Sequence, residues 1–152
     1  MRLALFQPDI AGNVGTIIRL AACFAVPVDI IMPCGFPASD KQLKRAAMDY
    51  ADAASITRHP NAEAFFAERS ETRGRIVLLT SHGATPLPDF RFEPGDTLLL
   101  GSESAGVPPE VHDRADGRVR IPMVAGFRSL NIAVAAGIGL SEALRQTGQY
   151  PQ

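Results

Sequence analysis

The stretch Thr97–Asn131, which reads TLLLGSESAGVPPEVHDRADGRVRIPMVAGFRSLN, decides the fold of this chain. Its apolar run Thr97–Leu100 stops at Gly101, where a loop rich in glycine and serine begins. A second apolar segment, Val119–Met123, ends in another loop that leads to Asn131 at the head of a helix. Two strands that release such loops onto one edge form the usual ligand crevice of an open α/β sheet. We therefore predict a ligand site at that edge.

The rest of the chain alternates apolar runs with helical patterns, which favours a mostly parallel sheet with helices on both faces. The predicted strands are Arg2–Phe6, Val28–Met32, Ser55–Thr57, Arg75–Thr80, Thr97–Leu100 and Val119–Met123. The predicted helices are Val14–Phe24, Asp40–Asp49, one capped by Asn61, a short one from Pro108, and Leu130–Arg145. The segment Ala84–Gly95 holds three prolines and is predicted to be a loop.

Length and composition favour one ordinary globular domain, 1–152, because 46% of the residues are hydrophobic and 20% are charged. The net charge of −1 gives no global attraction to nucleic acid, so any polyanion site must be a local patch. Cys23 and Cys34 lack metal or redox spacing and are expected to be reduced core or loop residues. Since no run is long and apolar enough for a membrane span, we expect a cytoplasmic protein.

The last predicted helix is apolar on nearly every side from Ile132 to Leu140. A helix of this kind is usually buried against two surfaces. In a chain of 152 residues this pattern favours a homodimer interface, and the alternative is deep packing on the sheet.

Asn13 and Arg19 follow the first strand and are candidates for the site. Asn13 could simply cap a helix, because its side chain can satisfy an orphan amide. Arg19 has apolar neighbours on both sides, so its guanidinium is expected to emerge at the crevice, where it could bind a phosphate or a carboxylate. Glu103, in the loop from Gly101 to Gly106, would repel a phosphate. This suggests that it pairs with a cation such as Arg19 or forms a hydrogen bond to a neutral ligand group.

Other candidates have equally simple structural interpretations. The loop from Gly101 to Gly106 could be a tight turn that needs positive φ, and it lacks the Walker and dinucleotide spacings. Ser129 is a plausible helix N-cap. A basic face formed by Lys41, Lys44 and Arg45 could be merely solvated. No catalytic or metal-binding role is predicted for the three histidines, His59, His82 and His112.

Three ordered motifs carry a resemblance to a known family. They are Asn13-x5-Arg19, Leu98-Leu-Leu-Gly-Ser-Glu103-x2-Gly106, and Ile121-Pro-Met followed by Ser129-Leu-Asn131. Together they resemble the motifs of the SpoU-type RNA ribose 2′-O-methyltransferases of the SPOUT superfamily. The short length, the helix Asp40-Lys-x-Leu-Lys-Arg45 and the run Thr57-Arg-His59 look most like the group that acts on the wobble nucleotide of tRNA.

The resemblance implies a C-terminal deep trefoil knot, an obligate homodimer and S-adenosylmethionine as methyl donor, with no metal. The positions that match the cofactor site are Leu79, Gly101, Ile121, Ser129 and Leu130. The positions that match the catalytic set are Arg19, Asn13, Glu103 and Asn131. Arg19 matches the residue proposed in the family to activate the ribose hydroxyl, and we expect it to stabilise the developing alkoxide, with Glu103 and Asn13 holding it in place.

The predicted function is therefore methyl transfer from S-adenosylmethionine to the ribose 2′-hydroxyl of cytidine or uridine 34 of tRNA. Phosphate contacts are expected from Lys41, Lys44, Arg45 and Arg58. The alternatives are methylation of another RNA, a non-catalytic RNA- or nucleotide-binding knot protein, and a flavodoxin-like mononucleotide binder. The chain departs from the family pattern at Ala133, Val134 and Ser141, where relatives often carry polar residues or a tyrosine, and this bears on the identity of the substrate.

Overall fold

A computed structural model describes residues 1–72, 74–82 and 84–152, and for residues 40, 42–44, 49 and 51 it describes the backbone alone. Its strands are β1 Arg2–Phe6, β2 Val28–Ile31, β3 Ile56–His59, β4 Ile76–Leu79, β5 Thr85–Pro86, β6 Thr97–Leu100 and β7 Gly117–Arg120. Its α-helices are α1 Ala11–Cys23, α2 Asp40–Ala47, α3 Ala62–Thr72, α4 Pro109–Asp113 and α5 Ile132–Thr147. Two 3-10 turns, Met48–Ala51 and Leu87–Asp89, complete the described elements.

The strands of the described residues form one seven-stranded sheet in the order β3-β2-β1-β6-β4-β7-β5. Every strand pair is parallel, so the predicted mostly parallel α/β sheet is confirmed. β1 and β6 are adjacent in the middle, with Leu3 opposite Leu98 and Leu5 opposite Leu100. Because parallel strands share one polarity, the loops after β1, β4, β6 and β7 all leave at the same edge.

Apolar residues are buried on both faces of the sheet. Leu3 and Leu5 of β1 belong to the core that includes Ile17 of α1 and Leu140 of α5. The alternate residues of the same strand belong to a second core that contains Phe65 of α3. Such alternation of two apolar sets along one strand is the pattern of a sheet covered on both faces.

Some predicted boundaries need correction. The proline-rich segment contains β5, because a proline can occupy an edge strand whose amide side is not needed for pairing. The seventh strand covers Gly117–Arg120, so the site loop begins earlier than predicted. Cys23 is exposed, not part of the core.

His59, for which no functional role was predicted, lies buried at the end of β3. Its Nε2 is 3.0 Å from Oδ1 of Asp29, a carboxylate with no solvent exposure on β2. Arg2 donates two further hydrogen bonds to the same carboxylate, at 2.9 and 3.0 Å. Burial acts to raise the pKa of Asp29, but these hydrogen bonds outweigh it, and the pKa lies below its ordinary value.

Gly15 on α1 allows the close approach of α2. A Cβ at this position would lie 2.2 Å from the carbonyl oxygen of Ala46. We expect Gly15→Ala to lower the free energy of unfolding by about 1–3 kcal/mol, because the two helices must move apart. Denaturant unfolding measures this change, and Gly12→Ala is the matched control, since its Cβ would meet nothing within 4 Å. Equal stability of the two variants would contradict the assigned packing.

Candidate functional site

A crevice of about 1130 Å³ opens where the carboxyl ends of β4, β6 and β7 release their loops. All of the predicted cofactor positions line it, namely Leu79, Gly101, Ile121, Ser129 and Leu130. Three of the four predicted catalytic residues also line it, namely Asn13, Glu103 and Asn131. The fold thus brings together residues that are far apart in sequence, and their individual roles stay predictions.

A continuous chain of hydrogen bonds joins three of these side chains. Nδ2 of Asn13 donates to Oε1 of Glu103 at 3.0 Å. Nδ2 of Asn131 donates to Oδ1 of Asn13 at 3.0 Å. Oδ1 of Asn131 accepts from the backbone N–H groups of Ala133 and Val134, at 2.9 and 3.4 Å. These hydrogen bonds therefore connect the loop after β6 to the first turns of α1 and α5.

Glu103 determines how both amides are oriented. An ionised carboxylate can only accept hydrogen bonds, so Asn13 must present its NH2 group to Glu103 and its oxygen to Asn131. Asn131 must then present its NH2 group to Asn13 and its oxygen to the N–H groups of α5. Each NH2 group has two hydrogens and uses one in this chain, which leaves a donor on both Asn13 and Asn131 for a ligand.

These contacts correct the predicted helix caps. α1 begins at Ala11 with Ile10 at its N-cap, so Asn13 lies within the first turn and does not cap the helix. α5 begins at Ile132 with Asn131 as its N-cap, so Ser129 is not the cap. Ser129 instead lies exposed in the loop that lines the crevice.

The loop from Gly101 to Gly106 is closed by its own backbone. Ser102 and Gly106 exchange two backbone hydrogen bonds of 2.9 Å. Gly106 has a φ of +69°, which fits the predicted need for positive φ. A Cβ on Gly101 would lie 2.5 Å from the carbonyl carbon of Gly106. Gly101 therefore keeps backbone exposed to the crevice at a place where a side chain would not fit.

Arg19 is not where the sequence suggested. It is an exposed residue on the outer side of α1 and does not line the crevice of its own chain. Its guanidinium carbon lies 4.8 Å from the centroid of the Tyr50 ring, which is a cation–π contact. The predicted pairing with Glu103 is not formed within one chain, where Glu103 binds Asn13 and the backbone N–H of Asp9.

The predicted RNA-contact residues lie away from the crevice. Lys41 and Arg45 are exposed on α2, and the side chain of Lys44 lies outside the described residues. Arg58 is exposed on β3. None of the three described side chains lines the crevice, so a phosphate role for them requires an RNA that extends beyond it.

Sequence reasoning missed Asp9 and Ser104. Oδ2 of Asp9 accepts hydrogen bonds from the backbone N–H and the hydroxyl of Ser104, at 2.9 and 2.7 Å. The two residues are 95 positions apart, and neither belongs to a motif that would have linked them. The adjacency of β1 and β6 in the sheet is the only signal that could have paired their loops.

The residues that line the crevice fit S-adenosylmethionine in their chemistry. Its walls combine apolar side chains such as Leu79, Ile121 and Leu130 with the bare backbone around Gly101. Small-molecule sites typically offer such apolar walls with a few polar groups that fix orientation. Among the described residues, no group of three or more His, Cys, Asp or Glu side chains could hold a metal ion. None of the described helices is long and apolar enough to cross a membrane.

An open parallel sheet with a ligand crevice at the carboxyl ends of its strands defines an α/β ligand-binding or catalytic domain. Comparison with known proteins makes this specific. The chain belongs to the SpoU rRNA methylase family, whose model matches residues 1–141.

Three similar proteins illustrate the relationship. A protein of Beijerinckia indica subsp. indica, named tRNA (cytidine(34)-2'-O)-methyltransferase, is 53% identical over 96% of this chain and 91% of its own length. A solved structure described as giving structural insights into the 2-OH methylation of C/U34 on tRNA has a TM-score of 0.89 and 39% identity, covering 95% of this chain and 94% of that one. An AdoMet-bound rRNA methyltransferase from Sinorhizobium meliloti has a TM-score of 0.85 and 32% identity, covering 95% of this chain and 55% of that one.

Proposed function

We propose that this protein transfers a methyl group from S-adenosylmethionine to the ribose 2′-hydroxyl of nucleotide 34, a cytidine or uridine, of tRNA. One observation carries the proposal: the hydrogen-bonded chain of Glu103, Asn13 and Asn131 lies in the same crevice as the predicted cofactor residues. The name of the 53% identical relative supports the choice of substrate.

The residues of the crevice have few tasks in such a reaction. S-adenosylmethionine would supply an electrophilic methyl group, whose bond to sulfur breaks as its bond to the ribose 2′-oxygen forms, so that S-adenosylhomocysteine leaves and the hydroxyl proton passes to solvent. Asn13 and Asn131 each keep an amide hydrogen with which to orient the ribose or the adjacent phosphate. A guanidinium holds its proton too tightly to act as a general base, so Arg19, which does not line the crevice of its own chain, is assigned to stabilise the developing alkoxide in the crevice of a second copy.

A methyl-transfer assay tests the proposed function. Purified protein is given labelled S-adenosylmethionine and total tRNA, and the modified nucleosides are mapped by mass spectrometry. We expect a 2′-O-methylated pyrimidine at position 34. Methylation at another RNA position would contradict the assignment of nucleotide 34 and identify that position as the substrate. Tight cofactor binding without transfer to any RNA would favour the non-catalytic alternative.

We further propose that the protein works as a homodimer. Six of the nine exposed large apolar side chains among the described residues lie between positions 123 and 138. They are Met123, Val124, Phe127, Leu130, Val134 and Ile138. Val134 and Ile138 share one face of α5 and are 52% and 40% exposed. An apolar surface of this kind at a ligand crevice is typical of an interaction site.

The dimer proposal predicts that Ile138→Asp yields a monomer. A carboxylate buried between two copies of α5 would lose its hydration without gaining a partner. Size-exclusion chromatography with light scattering measures the mass, and Ile138→Leu is the conservative control that should stay dimeric. A dimeric Ile138→Asp variant would place the interface elsewhere.

We assign Lys41, Lys44, Arg45 and Arg58 to phosphate contacts with the tRNA. Each contact with a phosphate contributes about 0.7–0.9 to the slope of log K against log salt. The double change Lys41→Ala with Arg45→Ala should therefore lower the slope by about 1.5 and weaken binding most at low salt. Filter binding across a salt series measures this, with Arg91→Ala as the control at another exposed arginine. An unchanged slope would show that Lys41 and Arg45 do not contact phosphates of the tRNA.

The remaining parts of the proposal concern the architecture and the setting. A single methyltransferase domain, 1–152, is supported by the one continuous sheet. A deep trefoil knot in the C-terminal part is supported by the likeness to SpoU-family structures. A cytoplasmic location follows from the proposed tRNA substrate.

A further inference from the structure

Asp9 joins two loops that line the crevice. It lies between β1 and α1, and its carboxylate accepts both the backbone N–H and the hydroxyl of Ser104. Its own backbone N–H donates to Oε2 of Glu103 at 2.7 Å. One residue of the first loop thus holds two consecutive residues of the loop that follows β6.

The backbone of Asp9 is itself held in place. The N–H of Gly35 donates to the carbonyl of Pro8 at 2.9 Å. A Cβ on Gly35 would lie 2.9 Å from the Cα of Asp9, so the segment after β2 packs directly against this loop. The backbone of Asp9 is therefore held in place, and its contacts position the loop after β6.

The position of Glu103 depends on these contacts of Asp9. Its Oε1 accepts from Asn13 and thereby sets the amide orientations of Asn13 and Asn131. A shift of the loop by a fraction of an ångström would lengthen this bond, because hydrogen bonds weaken steeply outside about 2.7–3.2 Å. The carboxylate of Asp9 controls that shift through Ser104.

We propose that Asp9 is a positioning residue for methyl transfer, which acts by holding Ser104 so that Glu103 reaches Asn13. The inference rests on the proposed function and adds to it a residue that does not touch the reacting atoms. The hydrogen bonds from the hydroxyl and the N–H of Ser104 lower the pKa of Asp9, so the carboxylate is ionised at neutral pH. This state is consistent with its role as a double acceptor.

A double-mutant cycle on kcat tests the inference. Asp9→Ala should lower kcat by about 10-fold, and Asp9→Asn should lose less, because Ser104 donates both hydrogen bonds to one oxygen of Asp9, Oδ2, and the amide oxygen of asparagine can take its place. The kcat of the double variant Asp9→Ala/Glu103→Gln should be no lower than that of Glu103→Gln alone, since both changes disrupt the same contact, that of Glu103 with Asn13. Asp89→Ala, at an exposed carboxylate, is the control that should keep the wild-type kcat.

Two results would overturn the inference. One is an unchanged kcat in Asp9→Ala, and the other is a double variant whose loss is the product of the single losses. Hydrogen exchange at the Ser104 amide gives a readout that does not depend on activity, because Asp9→Ala should raise its exchange rate at least 10-fold. An inactive wild-type protein would count against the proposed function alone, and unchanged exchange at Ser104 would still contradict the role of Asp9.

Discussion

Glu103→Gln is expected to lower kcat by about 100-fold while leaving the affinity for S-adenosylmethionine nearly unchanged. The substitution keeps the size of the side chain but replaces one acceptor oxygen by an NH2 group. Glu103 accepts from two donors, the backbone N–H of Asp9 and Nδ2 of Asn13. A glutamine can serve only one of them, and its oxygen is best used on the fixed backbone N–H of Asp9.

The other end of the glutamine would then face Asn13 with two donors. Asn13 can relieve this contact by flipping its amide, which forces Asn131 to flip as well. Asn131 would turn its NH2 group toward the N–H groups of α5 and lose its cap, at a cost of about 1 kcal/mol in stability. A single changed atom would in this way displace the donors that both asparagines offer to the ligand.

Steady-state kinetics and calorimetric titration with S-adenosylmethionine separate these effects. Glu110→Gln is the matched control, because Glu110 is an exposed glutamate in the first turn of α4. If Glu103→Gln had wild-type kcat, the amide chain would have no part in turnover. If it lost cofactor affinity instead, Glu103 would belong to the cofactor site.

The sequence predicted the central strands and the edge of the sheet that holds the site. β1 was predicted with its observed bounds, and so was β6, because both are apolar runs ended by a loop signal. The rule that parallel strands present their carboxyl ends together predicted a ligand crevice at this edge, and the family resemblance supplied Asn13, Glu103 and Asn131 as its catalytic set. These features depend on local pattern and on topology, both of which are present in the sequence.

Features that depend on side-chain geometry were not predicted. Ser129 and Asn131 are both good capping residues, and the backbone angles of the loop decide between them. The pairing of Asp9 with Ser104 requires knowledge of which loops are adjacent. The contacts of Asp29 differ, because the sequence contains a signal for them. A carboxylate inside the apolar strand Val28–Ile31 needs polar partners when it is buried, and Arg2 is one of them.

Arg19→Ala is expected to lower kcat by about 100-fold or more, although Arg19 does not line the crevice of its own chain. Its side of α1 also carries the exposed residues Gly12, Thr16 and Cys23, so Arg19 stands on an open helical face. In the proposed homodimer this face is expected to lie against the second copy, so that Arg19 serves the second copy's crevice. Arg19→Lys should recover little activity, because an ammonium lacks the planar donor geometry of a guanidinium.

A mixed dimer distinguishes action within one chain from action across the interface. One copy carries Arg19→Ala and the other carries Glu103→Gln, and two affinity tags allow the mixed dimer to be purified. If Arg19 acts across the interface, the copy with the intact Glu103 receives the intact Arg19 of its neighbour, and the mixed dimer should show about half of the wild-type rate. If Arg19 acts within its own chain, neither crevice is complete, and the mixed dimer should be as inactive as the two parent variants. Arg91→Ala, at another exposed arginine, controls for the loss of a surface charge and should leave kcat unchanged.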